Sequence, residues 1–102
     1  MQIRLARYED YKMSEAEARE ILEICRAPAF AYRELVVSAA IKSNPYISDS
    51  LVKSICDRRS WTKQMDICIS ENSFYGYRRK ALAILKPQFE ALGLIKSVQE
   101  NE

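Results

Sequence analysis

The 102-residue chain has no histidine, two glycines, three prolines and three cysteines. Each shortage removes a class of protein. Without histidine the commonest general base is missing. Three cysteines with no histidine and no C-x-x-C pair make neither a zinc finger nor a Cys–His nucleophile. Two glycines cannot build a phosphate-cradling loop or the many tight corners of a β-sandwich. No apolar run approaches the ~18 residues that a membrane span needs. The opening "MQIRLARYED" carries charges where a secretory leader would be apolar. The odd set Cys25, Cys56 and Cys68 then reads as free thiols in a reducing cytoplasm. Glu15, Glu17, Glu20 and Glu23 are spread around more than one helix face, as solvated charges are. The expectation is a cytoplasmic protein, not an enzyme, with no cofactor and no metal.

What is present favours helices. Hydrophobic residues make up 48% of the chain, enough for a core, and charged residues 29%. The length is that of a single domain, divided here into an N-terminal arm (1–12), a helical body (13–92) and a tail (93–102). Ser14 and Glu17 form a capping box. Ala18, Ile21, Leu22 and Cys25 follow at i, i+3, i+4 and i+7, one face of a helix that Ala27-Pro28 ends. The segment "AFAYRELVVSAAIKSN" has two apolar faces, Tyr32, Val36, Ala39 and Ala40 on one and Phe30, Val37 and Ile41 on the other. That pattern predicts a buried central helix, stopped by Asn44-Pro45. Ser48 is the expected cap of a third helix with a stripe of Ile47, Leu51 and Ile55. Asp49 falls in its first turn, near the positive dipole end. Ser60 is the expected cap of a fourth, with Trp61, Met65, Cys68 and Ile69 as its seam. A fifth carries Ala81, Leu82, Leu85, Phe89 and Leu92, split near Leu85 by Pro87 and closed by Gly93.

Two stretches echo one another. Setting Asn44 against Asn72, an offset of 28, pairs Ala40 with Cys68, Ile41 with Ile69 and Tyr46 with Phe74. The run "VVSAAIKSNPYISDSLVKSICDRRSWTKQMDICISEN" resembles the leucine-rich repeat variant and HEAT-like helical repeats, carried by Ala39, Ala40, Asn44, Pro45, Leu51, Ile55, Asp57, Trp61 and Asn72. It departs from them at Asn72, which no proline follows, and at Trp61, which is bulky. The resemblance implies an all-α fold, about five helices stacked as a short right-handed α-solenoid, and a binding scaffold rather than chemistry. Stacked pairs would bury a continuous core, and the open ends of so short an array admit a homodimer. The alternative architecture is a helix-turn-helix or winged helix, with Trp61, Thr62, Lys63 and Gln64 opening a recognition helix.

Charge distribution points to the binding edge. Between Lys53 and Lys86 lie eight basic and three acidic residues. Aromatic residues interleave them in "SFYGYRRK". In a stacked array successive turns align on one side, which would gather Arg58, Arg59, Lys63, Arg78 and Arg79 with Tyr75 and Tyr77. Cations pair with carboxylates or phosphates, and tyrosine with arginine recurs at interface hot spots. The expected function is an interaction module or small adaptor taking an acidic protein surface. Nucleic acid, held through the basic 53–86 segment, is the alternative partner.

Overall fold

A computed structural model of the chain describes residues 3, 6–64 and 69–95. Among the described residues there are four α-helices: α1 (Glu15–Arg26), α2 (Arg33–Ser43), α3 (Ser48–Asp57) and α4 (Glu71–Ala91). Short 3-10 turns stand at Tyr8–Tyr11, Pro45–Ile47 and Trp61–Lys63, and no strand occurs among the described residues. The alternative winged-helix reading therefore finds no wing strand among the described residues.

α1 begins as its sequence predicts. The Ser14 hydroxyl accepts the Glu17 amide at 3.0 Å, while the Glu17 carboxylate accepts the Ser14 amide at 2.8 Å. Ala18, Ile21, Leu22 and Cys25 are all buried. α3 starts differently from expectation. Asn44, not Ser48, is the capping side chain, its oxygen accepting the Tyr46 amide at 3.0 Å. The 3-10 turn Pro45–Ile47 then runs straight into α3. Ser48 is already helical, and its hydroxyl donates back to the Pro45 carbonyl.

The expected solenoid is overturned by the packing. In a stack each unit touches only its neighbours, but here α1 packs on α3 and α4, and α2 on α3 and α4. The 21-residue α4 is a wall that the other three share. One core results, with Ile21, Val36, Leu51, Ile55, Phe74, Leu82, Leu85 and Phe89 essentially inaccessible. Cutting Leu82 to alanine would cost on the order of 3 kcal/mol. The radius of gyration, 13.2 Å, matches the ~13 Å of a compact 100-residue domain. The protein is a four-helix bundle, not a five-helix HEAT-like repeat. The echo that implied a repeat lies in turn chemistry, since Asn44 caps a 3-10 turn while Asn72 is simply the second residue of α4.

Three further expectations change. The fourth helix is a three-residue 3-10 turn at Trp61–Lys63; Met65 and Cys68, two members of its seam, lie outside the described residues. The Trp61 indole donates to the Ile69 carbonyl at 3.0 Å. An unbroken helix would hold those residues ~12 Å apart along its axis. Ser60 bonds the Thr62 hydroxyl rather than an amide. α2 buries one face only, since Val37 and Ile41 are 38% and 47% exposed. α4 continues through Pro87. Pro87 is exposed and Ala83, whose carbonyl it leaves without its usual donor, is half-exposed, so water can replace the lost bond. Gly93, at φ 75, closes α4 as expected. That left-handed backbone suits glycine.

Candidate functional site

The C-terminus of α3 is where the charged side chains converge. α3 ends in a Schellman-type turn: Arg58 sits at φ 61, and the Arg59 amide reaches the Lys53 carbonyl at 3.1 Å. Glycine is the usual residue in that conformation, and an arginine there costs roughly 1 kcal/mol. The turn leaves the carbonyls of the last helical residues without helical donors. Arg26, the last residue of α1, fills that need from a distant part of the chain. Its Nε donates to the Ile55 carbonyl at 2.9 Å and its Nη2 to the Ser54 carbonyl at 3.0 Å. A cation at a helix C-terminus is also favoured by the dipole. Burial, and then the nearby Arg78 and Arg58, push Arg26 below the usual guanidinium range. It remains charged, because arginine does so in any physiological setting.

Arg78 approaches from α4. Its Nη1 donates to the Ser54 hydroxyl at 3.0 Å, and its guanidinium lies 4.8 Å from the centre of the Tyr75 ring. Its Nε is buried without a hydrogen-bond partner, a cost that the cation–π contact offsets. Arg33, at the start of α2, makes a two-point contact with Asp57 at 3.2 and 3.3 Å. That bond, with the positive charges of Arg33, Arg59 and Lys53, holds the Asp57 carboxyl below its ordinary range. Six cations, Arg26, Arg33, Lys53, Arg58, Arg59 and Arg78, thus surround one helix end. Arg26 and Arg78 are engaged inward, whereas Lys53, Arg58 and Arg59 remain exposed.

The sequence-predicted edge is only partly gathered here. Arg58, Arg59, Arg78 and Tyr75 meet at the corner. Tyr75 is half-buried; its hydroxyl accepts the Trp61 amide at 3.0 Å, and its ring stands edge-on to Phe74. Arg79, one residue from Arg78 and therefore about 100° around the helix, leaves for the N-terminal segment and donates to the Ala6 carbonyl at 2.8 Å. Tyr77 lines a separate shallow cleft of about 550 Å³ with Ala6, Asp10, Tyr11 and Lys80. Lys63 ends the 3-10 turn, and its side chain lies outside the described residues. Arg78 and Arg79 also stand in the third turn of α4, not at its start.

Sequence reasoning did not place Arg26 and Arg33 at the site, and it used Asp57 only as part of the repeat resemblance. Their contacts span 24 to 29 residues, so no local pattern marks them. Arg33 also heads a stripe on α2. Arg33, Val37 and Ile41, spaced by four, are all exposed, so a row of apolar side chains leads away from the basic corner.

Against this geometry, no protein-family model, no curated protein and no solved structure matches the chain. Among the described residues no helix is long and apolar enough to cross a membrane, and no group of three or more His, Cys, Asp or Glu could hold a metal ion.

Proposed function

We propose that the protein is a non-catalytic interaction module whose α3 corner docks an acidic surface of a protein partner. The observation that carries this reading is the adjacency of exposed cations and exposed apolar side chains. Lys53, Arg59 and Arg33 act on the one carboxylate of Asp57, Arg58 follows Asp57 in the chain, and from Arg33 the stripe continues through Val37 and Ile41. Cations bring specificity and fast encounter, and apolar area brings affinity. Arg58 adds a second support, since an arginine stands, at a cost in stability, where glycine would be easier. The complete lack of histidine favours a binding role over catalysis. The reading takes the chain as cytoplasmic, with an odd number of cysteines suited to a reducing compartment.

Nucleic acid is the second reading, and two features weigh against it. A phosphate backbone has no use for the Val37–Ile41 stripe. The exposed positions of α3 also include Asp49 and Asp57, carboxylates that would face phosphates if α3 entered a groove. A second copy of the chain docking by the same corner would oppose like charges. Titration of a fluorescent peptide of alternating glutamates and leucines, beside a labelled DNA duplex, tests the proposal at two salt concentrations. Peptide binding with a shallow salt dependence is the expected result. Tight duplex binding that falls steeply with salt, the mark of released counterions, with no peptide binding, would move the function to nucleic acid.

A further inference from the structure

The apolar side chains that the bundle leaves outside gather on one helix. Among the described residues four large ones are exposed: Val37, Ile41, Tyr46 and Leu92. Two of them lie on α2, and Tyr46, 94% exposed, follows its end by three residues. The other face of α2, through Val36, Ala39 and Ala40, is sealed in the core. Arg33, Val37 and Ile41 thus form an outer ridge of the i, i+4 kind, each step rising ~6 Å along the axis. The ridge is charged at one end. Arg33 is fastened there by its two-point contact with Asp57, with Lys53 one helical turn before that carboxylate and Arg59 two residues after it. Four exposed cations, Arg33, Lys53, Arg58 and Arg59, stand against the carboxylates of Glu34 and Asp57. This end stays positive.

Whatever covers this ridge must satisfy its own backbone. Val37 and Ile41 carry no donor or acceptor, and the main chain between them is spent on the hydrogen bonds of α2 itself. No strand edge exists among the described residues to pair with an extended segment. A strand laid along α2 would bury amides and carbonyls that have no partner, each at the cost of a lost hydrogen bond. A helix bonds its own backbone, and its grooves accept an i, i+4 ridge. We propose, resting on the docking reading above, that the partner presents an amphipathic α-helix to α2. Two apolar side chains of that helix, four residues apart, cover Val37 and Ile41. A carboxylate one turn beyond them meets Arg33 and the cations around Asp57. Apolar contact and charge pairing then fall on one face of one helix, which fixes where along α2 it sits.

The test titrates the full chain with a fluorescent, alanine-rich helical peptide. It carries two leucines four residues apart and a glutamate one turn away on either side, so that both directions of binding are served. A scrambled peptide of the same composition sets the leucines two residues apart, on opposite faces of its helix. The first peptide should bind at least tenfold more tightly than the scramble, and its amide-shift map should centre on α2. Val37→Ser with Ile41→Ser should remove that preference without changing the melt, because both side chains are exposed. The alternating glutamate–leucine peptide, run alongside, reports on the docking reading separately. If it binds, and the helical peptide binds no better than its scramble or is unaffected by the two serines, the helix is overturned and the docking corner stands. If neither peptide binds, the docking reading fails and the helix falls with it. Binding to vesicles of anionic phospholipid that the two serines abolish, with no peptide binding, would give the ridge to a membrane surface and overturn the proposal. So would a sedimenting dimer that the same serines dissolve, which would give it to a second copy of the chain.

Discussion

Two ion pairs stand at opposite ends of α1, and they differ in nearly everything except their chemistry. At its start, Lys86 of α4 donates to the Glu17 carboxylate at 3.3 Å and to the Lys12 carbonyl at 3.0 Å. At its end, beside Arg26, Arg33 meets Asp57 at 3.2 Å. The Lys86 side chain is 10% exposed, against 53% for Arg33. The Lys86 side of the first pair is nearly sealed, and Glu17 doubles as part of the α1 capping box. Losing Glu17 would leave the buried ammonium with the Lys12 carbonyl alone, and losing Lys86 would take a cation and a hydrogen bond from a half-exposed carboxylate. The second stands in water, where an ion pair contributes little. The charges at the two ends of the bundle therefore do different work. One set holds the helices together, and the other is available to something outside.

The largest effect should come from breaking the sealed pair. Lys86→Ala is expected to destabilise the fold by about 2 kcal/mol, lowering Tm by roughly 10 °C in a thermal melt, with corner binding unchanged at temperatures where the protein is folded. The same pair carries an acid-side signature. The Ser14 amide, and then Lys86, hold Glu17 below its usual 4.5. A depressed carboxyl adds stability that is fully present above its unfolded value and is lost as pH falls through the folded one. Denaturant titrations should therefore show stability declining below about pH 4.5, and Glu17→Gln should flatten that slope. Next in size is Arg26→Ala, which removes both donors to the orphan carbonyls of α3 and should cost about 1–2 kcal/mol by urea unfolding.

Smaller changes separate stability from docking. Arg58→Gly relieves the left-handed backbone and should gain about 1 kcal/mol in urea unfolding, yet weaken binding of the acidic peptide. A stabilised protein that binds as well as before would show that Arg58 is not kept for contact. Arg33→Ala should shift stability by less than about 0.5 kcal/mol while also reducing peptide affinity, a contrast with Lys86→Ala that sets the two ends of α1 directly against each other.

Single helices and their ends were legible where information is local, but their packing was not, and the expected solenoid gave way to a bundle. The capping box of α1, its buried stripe and the glycine stop of α4 are all patterns within a few residues. What escaped was either long-range or ambiguous at short range. Trp61, Cys68 and Ile69 have helical spacing, but the indole nitrogen finds its acceptor in the Ile69 carbonyl, which no spacing reveals. Val37 and Ile41 look like a second core face because α2 is apolar nearly all round, and only the bundle shows which side is covered. Pro87 reads as a break, yet it falls in the last turns of α4 on the exposed side. The corner itself was half legible. Arg58 and Arg59 stand out as a charged turn, but the arginines that meet α3 from α1 and α2 are brought there by tertiary packing alone.

Replacing Arg58 and Arg59 together by glutamate tests the docking corner most directly. Both side chains are exposed, and neither donates a side-chain bond that supports the core, so the melt should stay close to that of the native chain. Titrated with the fluorescent glutamate–leucine peptide, the double variant should lose affinity by at least tenfold, about 1.4 kcal/mol, while Lys42→Glu at the far end of α2 should lose much less. Equal affinities for the native chain and the double variant would contradict the account.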